Sequence, residues 1–318
     1  MPNFWRDKRV LCTGSSGFLG SHLCRLLESS GANVFAPPHR SYNLLRLPDV
    51  QRMFLVMHQP DVVFHLAAVV GGIGANAARP ADFYSLNVLM NTYVLEEARR
   101  AGAKKIVAVG TVCQYPKFTP IPFRESNLWL GYPEETNAPY GMAKRGLLTH
   151  CQALRQQYGT NVIFLIPTNL YGPGDSFSLD TSHVIPALLR KFHEAKQANG
   201  PTVEVWGSGS ATRDFLYVED CARALLLAAE HYNLPDPVNL GTGIETSITS
   251  LSQAIKGLTT YEGVIQFNQA KPDGQPRRVL DTSRAREVFG WHATTPLKEG
   301  LHLAYRWYME NVCLKSQS

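Results

Sequence analysis

Short apolar runs alternate with amphipathic segments through the first half of the 318-residue chain, and this alternation constrains the fold more than any other feature. Helical patterns such as FLGSHLCRLLESSG (18–31) and NVLMNTYVLEEARRAG (87–102) separate the runs. Parallel strands joined through helices need right-handed crossovers. The sequence therefore predicts an α/β fold with a Rossmann-like, doubly wound parallel sheet, whose strands are KRVLCTG (8–14), NVFAPP (33–38), DVVFHLAA (61–68), KKIVAVGT (104–111) and NVIFLIPTNLYG (161–172).

The pattern changes after residue 172, which predicts a second and smaller α/β lobe. SHVIPALLRKFHEAKQ (182–197) predicts a helix, and VEVWGSG (203–209) predicts a short strand. RDFLYVEDCARALLLAAEHY (213–232) predicts a strand and then a helix, with which we expect the chain to return to the first sheet. We therefore expect a Rossmann domain of residues 1–172 plus about 214–242, interleaved with a substrate-binding lobe of about 173–213 and 243–318.

Composition and charge narrow the functional class. The net charge of +5 is spread along the chain without a long Lys/Arg block, so we expect no nucleic-acid partner. No apolar run approaches the roughly 20 residues of a membrane span, and the N-terminus MPNFWRDKRV lacks the apolar core of a signal peptide. The cysteines are scattered without a CxxC pair, which predicts neither a metal site nor a disulfide framework. We expect a cytoplasmic, reduced protein.

A glycine-rich segment follows the first predicted strand directly. TGSSGFLGSHL (13–23) places Gly14, Gly17 and Gly20 between that strand and the first helix. Gly14 would permit a tight turn, Gly17 a close backbone approach to a pyrophosphate, and Gly20 close packing of helix on sheet. The spacing favours dinucleotide binding over a glycine-rich turn that holds no ligand.

The end of the second predicted strand favours NADP(H) as the cofactor. NAD sites usually place an acid there for the ribose hydroxyls, whereas NADP sites place cations. FAPPHRSYNLL (35–45) has no acid but carries His39 and Arg40. Alternatively, His39 and Arg40 belong to a basic turn that is exposed to solvent and binds no cofactor.

A hydroxyl, a phenol and an ammonium form a candidate catalytic set. Tyr140 and Lys144 lie four positions apart in APYGMAKR (138–145), on one face of a predicted helix. We expect the ammonium to lower the pKa of the tyrosine, so that its proton is available to a substrate oxygen. Thr111, at the end of the fourth strand, would donate a second hydrogen bond to that oxygen. Alternatively, Tyr140 and Lys144 are an ordinary solvent-exposed pair on a helix, with no catalytic role.

Over nearly its whole length the sequence resembles the extended short-chain dehydrogenase/reductase family, the sugar-nucleotide epimerases and dehydratases. Dehydratases of this family carry an Asp-Glu pair where this chain has Val112 and Cys113, so dehydration is not expected. The closer resemblance is to members that epimerise and reduce a GDP-4-keto-6-deoxyhexose. It rests on VVGGIGANAARPADFYSLN, CQYPKF, PTNLYGPGDSF, SHVIPALLRKFHEA, VWGSGSATRDFLYV and KPDGQPRRVLD. Two positions depart from that pattern: Thr111 stands where Ser is frequent, and Arg278 where Lys is familiar.

The resemblance implies NADPH-dependent 3,5-epimerisation and 4-reduction. It places the proton-transfer acid and base on Cys113 and His183, and the contacts to the C4 oxygen on Thr111 and Tyr140. Taken singly, Cys113 could instead be core filler and His183 a helix cap. The cofactor contacts are expected at Gly14, Ser16, Gly17, Phe18, Leu19, Gly20, Arg40, Ala67, Lys144, Pro167, Asn169, Leu170 and His183.

The expected substrate contacts are Asn169, Trp206, Arg213 and Arg278. Trp206 could stack on a base and the arginines could bind a diphosphate. Alternatively Trp206 belongs to the lobe core, and the arginines pair with Asp214 or Asp281. The resemblance also implies a homodimer through the Tyr140 helix and the segment PADFYSLNVLMNTYVLEEARR.

Three other functions remain open at this point. One is a 4-reductase or epimerase of a related keto nucleotide sugar such as a heptose. Another is a redox-neutral, NAD-dependent 4-epimerase, and the third is a non-catalytic dinucleotide sensor, which the joint presence of Thr111, Tyr140 and Lys144 disfavours.

Overall fold

The computed structural model describes residues 4–179 and 182–313. The strands, in chain order, are β1 (Arg9–Thr13), β2 (Asn33–Phe35), β3 (Val62–His65), β4 (Lys105–Val109), β5 (Val162–Pro167), β6 (Asn169–Tyr171), β7 (Thr202–Trp206), β8 (Thr212–Arg213), β9 (Phe215–Tyr217), β10 (Val238–Leu240), β11 (Thr246–Ser247) and β12 (Val264–Asn268). The α-helices are α1 (Phe18–Ser29), α2 (Leu47–Val56), α3 (Ile73–Ala78), α4 (Pro80–Arg100), α5 (Ala138–Tyr158), α6 (Val184–Gln197), α7 (Val218–His231), α8 (Ile248–Thr259), α9 (Ser283–Phe289) and α10 (Leu297–Tyr308).

The main sheet is parallel and has the strand order β10–β5–β4–β3–β1–β2. Because β2 lies on one side of β1 and β3 on the other, the chain changes direction at β1. The carboxyl ends of β1 and β3 therefore border the crevice in which such sheets hold ligands. The predicted Rossmann-like, doubly wound fold is confirmed.

Alternation along the strands supplies a core on each face of the sheet. On β4, Val107 and Val109 join one hydrophobic cluster with residues of α1 and α7. Ile106 and Ala108 point the other way, into a second cluster with residues of α4 and α5. Each fully buried valine or isoleucine among them contributes about 1.5–3 kcal/mol relative to an exposed one, so a hydrophobic core stabilises each face of the sheet.

The predicted strand 161–172 is two strands, because the chain leaves the main sheet at Pro167. The backbone N–H of Thr168 still donates to the Leu240 carbonyl (2.9 Å), and then β6 pairs in parallel with β9. The side chains of Thr168 and Asn169 donate to the Asp214 carbonyl at 3.1 and 2.9 Å, which ties β6 to the segment before β9. The strand in RDFLYV therefore pairs outside the first sheet, and the chain returns to that sheet, as expected, through α7 and then β10.

A third hydrophobic cluster forms where α6, α8 and α10 pack around the parallel pair β7–β12. Its buried members include Leu188, Phe192, Leu251 and Tyr308. The helix predicted at 182–197 and the strand predicted at 203–209 are both present, as α6 and β7. In residues 4–179 and 182–313, no helix combines the length and apolar character needed to cross a membrane.

Candidate active site

The glycine-rich loop forms a cradle that side chains would fill. Gly14 has φ +72°, and a Cβ there would lie 2.7 Å from the Ala67 nitrogen. A Cβ on Gly20 would lie 2.1 Å from the Gly14 carbonyl oxygen. Gly17 precedes α1 in an extended conformation, so the loop leads directly into a helix N-terminus, where backbone N–H groups favour phosphate. This geometry fits a dinucleotide pyrophosphate, and Ser16, Phe18 and Leu19 lie in the same turn.

Three buried polar side chains form a chain of hydrogen bonds next to this loop. The Thr13 hydroxyl lies 2.9 Å from His65 Nδ1, and His65 Nε2 lies 2.9 Å from Asn91 Oδ1. Burial lowers the pKa of His65 to about 3, so the imidazole is neutral near pH 7. The backbone N–H of Ala67 donates to the Thr13 hydroxyl at 3.4 Å, which joins the ends of β1 and β3. Sequence reasoning missed this chain, although a histidine inside an apolar strand was a visible signal.

Thr111 organises the turn that carries the thiol. It follows β4 directly and caps the 3-10 turn Val112–Gln114. The Cys113 N–H donates to the Thr111 hydroxyl, and the Thr111 N–H donates to the Gln114 side-chain oxygen, both at 3.3 Å. Thr111 and Cys113 are therefore held at the carboxyl edge of the sheet, at the end of the strand next to β3.

The Cys113 side chain is partly exposed, which distinguishes it from the buried thiols Cys12, Cys24, Cys151 and Cys221. A residue that merely fills the core would share their burial. The residues that the structure describes contain no group of three His, Cys, Asp or Glu side chains able to hold a metal ion.

Tyr140 and Lys144 lie one turn apart on α5, facing Thr111. Lys144 is 2% exposed and donates from Nζ to the Val109 carbonyl at 2.8 Å, so the pair is not an exposed helix pair. Burial lowers the pKa of Lys144 to about 8. The pKa of Tyr140 is raised, first by burial and then by Cys113, while a hydrogen bond with Thr111 opposes the rise. The expected fall in the tyrosine pKa is therefore wrong, because desolvation of the phenolate dominates.

Two arginines, Arg278 and Arg213, face the thiol. Nη1 of Arg278 lies 3.6 Å from Cys113 Sγ. Arg213 donates to the backbone carbonyls of Thr212 (2.7 Å), Gln275 (2.6 Å) and Asp273 (3.0 Å). Burial, and next the nearby Arg278, lower the pKa of Arg213 to about 9. Two guanidiniums so close together form a strongly cationic patch suited to a diphosphate.

The alternative partners for these arginines are engaged elsewhere. Asp214 is buried and accepts from the Thr242 hydroxyl (2.6 Å) and backbone (3.0 Å). Asp281 accepts from Arg124 Nε at 3.2 Å. Instead of pairing with these two acids, Arg213 contacts backbone carbonyls, and Arg278 contacts Gln275 and the thiol.

Trp206 and His183 are two further side chains of the predicted site in this half of the chain. Trp206 is 50% exposed, so it does not belong to the lobe core, and the ammonium groups of Lys271 and Lys191 lie 5.1 and 5.8 Å from its ring centre. His183 is the N-cap residue of α6, and its half-exposed side chain makes no hydrogen bond to the helix backbone there. Its Nδ1 lies 3.9 Å from Asp175, whose carboxylate raises the pKa of the imidazole.

Five further residues were predicted to contact the cofactor. Four of them lie at the edge of the sheet, and the fifth lies in a turn. Ala67 follows β3, Pro167 ends β5, and Asn169 and Leu170 belong to β6, so these lie at the carboxyl edge. Arg40 lies in an exposed turn beyond β2.

Comparison with known proteins agrees with this geometry. The sequence model of the NAD dependent epimerase/dehydratase family matches residues 10–241, and the chain belongs to that family. The chain is 42% identical to a GDP-L-fucose synthase of Sinorhizobium fredii over 313 residues, which cover 98% of this chain and 99% of the relative. Among solved structures, a GDP-6-OMe-4-keto-L-xylo-heptose reductase from C. jejuni matches with a TM-score of 0.91 at 27% identity, covering 100% of this chain and 99% of the other. A GDP-L-fucose synthetase from Naegleria fowleri bound to NADP matches with a TM-score of 0.87 at 28% identity, covering 96% and 95%.

Proposed function

We propose that the chain catalyses the NADPH-dependent 3,5-epimerisation and 4-reduction of a GDP-4-keto-6-deoxyhexose, the activity of a GDP-L-fucose synthase. The observation that carries this function is the partly exposed Cys113 thiol between Tyr140 and the guanidinium of Arg278. A reductase needs Tyr140 but has no need of a thiol at this place. Relatives about 40% identical over nearly the full length support the same function.

Epimerisation requires a proton to leave C3 or C5 and another to arrive on the opposite face. Both C–H bonds are acidic because they adjoin the C4 ketone. Cys113 and His183 are the proposed proton-transfer groups. Asp175 raises the pKa of His183, so its imidazolium persists to higher pH and suits the role of acid. Thr111 and Tyr140 would stabilise the enolate oxygen by hydrogen bonds.

Reduction uses the same two hydroxyl groups. The raised pKa of Tyr140 keeps the phenol protonated, so it can donate a hydrogen bond and then its proton to the C4 oxygen. NADPH, when bound, supplies the hydride. Lys144, fixed on the Val109 carbonyl, would hold the nicotinamide ribose and stabilise the tyrosinate that remains. Gly14, Gly17 and Gly20 would hold the pyrophosphate.

Outside the reacting centre, Arg213 and Arg278 would bind the diphosphate of the substrate, Asn169 would contact the sugar, and Trp206 would stack on the base. Arg40 would bind the 2′-phosphate of NADPH. These roles support a nucleotide sugar as the substrate class.

We also propose a homodimer through α4 and α5. The two helices pack on each other, and Tyr84, Leu89 and Tyr158 expose large apolar surface on this pair. A four-helix bundle with a second copy would cover that surface. The division into a Rossmann domain and an interleaved substrate lobe, and the cytoplasmic location, remain proposals from the sequence.

A second candidate is a 4-reductase of a keto-heptose nucleotide, because a heptose reductase matches the whole fold with a TM-score of 0.91. NADPH oxidation measured with a panel of GDP-4-keto sugars, with the products identified by NMR, separates the two. The proposal predicts turnover of GDP-4-keto-6-deoxy-mannose to a product inverted at C3 and C5. Turnover confined to heptose substrates, with retained configuration, would refute it.

A further inference from the structure

One buried side chain links three segments of the site. Gln275 is 3% exposed and lies in the segment between β12 and α9. Its amide nitrogen donates to the carbonyls of Pro116 (3.1 Å) and Lys117 (2.9 Å), just beyond the turn that carries the thiol. Its side-chain oxygen accepts from Arg278 Nε at 3.1 Å, and its backbone carbonyl accepts from Arg213. Both the nitrogen and the oxygen of the Gln275 side-chain amide therefore make hydrogen bonds.

The guanidinium that Gln275 holds is the one that reaches the thiol. Arg278 is 6% exposed, and with Nε engaged its Nη1 lies 3.6 Å from Cys113 Sγ. A guanidinium is planar and offers several donors in a fixed arrangement, so anchoring one edge fixes the direction of another. A lysine here would carry the charge but could not be held and aimed by the same amide.

The groups around the sulfur are mostly cationic or neutral. Arg278 donates to Cys113, Arg213 lies within electrostatic range of it, and Tyr140 faces it from α5 as a neutral phenol. Two acids, Asp273 and the buried Glu134, act electrostatically on Arg213. Reactive cysteines typically lie in cationic, partly exposed surroundings of this kind.

We propose that Arg278, aimed by Gln275, is a positioning residue that orients the Cys113 sulfur and holds a positive charge beside it. The arrangement itself stands on the contacts above. Its catalytic consequence, preparation of the epimerisation base, rests on the proposed function.

Alkylation of the full-length protein by iodoacetamide tests the arrangement without any substrate. The rate at Cys113 is followed by mass spectrometry, and the partly exposed Cys313 serves as an internal reference. Arg278→Met should slow alkylation of Cys113 relative to Cys313 by about tenfold, the usual scale of a hydrogen bond to a charged group. Gln275→Met should slow it by a smaller factor, and Arg278→Lys should restore only part of the rate.

Arg277→Met is the matched control, because Arg277 is exposed and pairs with Glu245 through Nε at 2.9 Å. It should leave alkylation of Cys113 unchanged. Thermal unfolding of each variant shows whether a slower rate merely reports misfolding, and Arg278→Lys carries the test if Gln275→Met does not fold. Wild-type rates in Arg278→Met, or full rescue by Arg278→Lys, would overturn the inference. The proposed function fails separately, if the wild-type enzyme exchanges no proton at C3 or C5.

Discussion

Gly20→Ala should impair dinucleotide binding and stability together. In the structure a Cβ at this position would lie 2.1 Å from the Gly14 carbonyl oxygen, 2.8 Å from the Gly14 carbonyl carbon and 2.9 Å from Ser15 Cα. All three are backbone atoms of the turn itself, so no flexible side chain can move aside. The first contact falls short of a normal van der Waals separation by about 1 Å or more, and either the turn or α1 must shift.

Overpacking of this kind costs about 1–3 kcal/mol, which for a chain of this length corresponds to a fall in Tm of roughly 2–5 °C. Because the displaced atoms form the pyrophosphate cradle, the affinity for NADPH should fall by at least about tenfold, a loss of about 1.4 kcal/mol. Differential scanning calorimetry gives the first quantity and isothermal titration calorimetry the second.

Gly257→Ala is the matched control. Gly257 lies within α8, and a Cβ there meets nothing within 4 Å. It should stabilise the protein by about 0.5–1 kcal/mol, as Gly→Ala does in a helix, and leave NADPH affinity unchanged. Gly20→Ala with wild-type Tm and wild-type affinity would refute the argument that close packing of α1 on this turn forms the cofactor site.

Three further predictions concern the cofactor preference, the proton donor and the oligomeric state. Arg40→Ser should reduce the preference for NADPH over NADH by about tenfold or more, the scale of a charge-assisted contact to a phosphate; tighter NADH binding by the intact protein would contradict the assignment. Because Asp175 raises the pKa of His183, an acid at His183 loses its proton, and its activity, as the pH rises through that raised pKa. Asp175→Asn should therefore move the alkaline fall of epimerisation to lower pH, and an unmoved pH profile would exclude His183 as the acid. Light scattering at micromolar concentration should give the mass of two chains, whereas a monomer would exclude the α4–α5 dimer.

Local patterns predicted those features that depend on neighbours in sequence. The strand runs, the glycine turn and the four-residue spacing of Tyr140 and Lys144 all belong to this class. Each depends on chain periodicity or on a single turn, which the sequence expresses directly. The parallel sheet followed from them because helical connections leave few topologies.

The features that sequence reasoning missed are set by contacts distant along the chain. Gln275 bonds to a carbonyl 159 positions away, and nothing in its Gly/Pro-rich segment marks it. The pairing of β6 with β9 depends on the Asp214 carbonyl, 45 positions from Asn169. The pKa of Tyr140 was predicted in the wrong direction because spacing gives the nearest charge, whereas burial is a property of the whole fold.

The central claim is that one site both inverts and reduces a 4-keto sugar, with Cys113 moving the proton. Solvent deuterium incorporation measures this directly: GDP-4-keto-6-deoxy-mannose is converted with NADPH in D₂O, and the product is examined by NMR at C3 and C5. The account predicts deuterium at both carbons for the wild-type enzyme. In Cys113→Ser, incorporation should slow by about 10²–10⁴-fold, the worth of a positioned proton-transfer group, while reduction at C4 through Tyr140 persists. Wild-type exchange rates in Cys113→Ser, or a wild-type product without deuterium at C3 and C5, would contradict it.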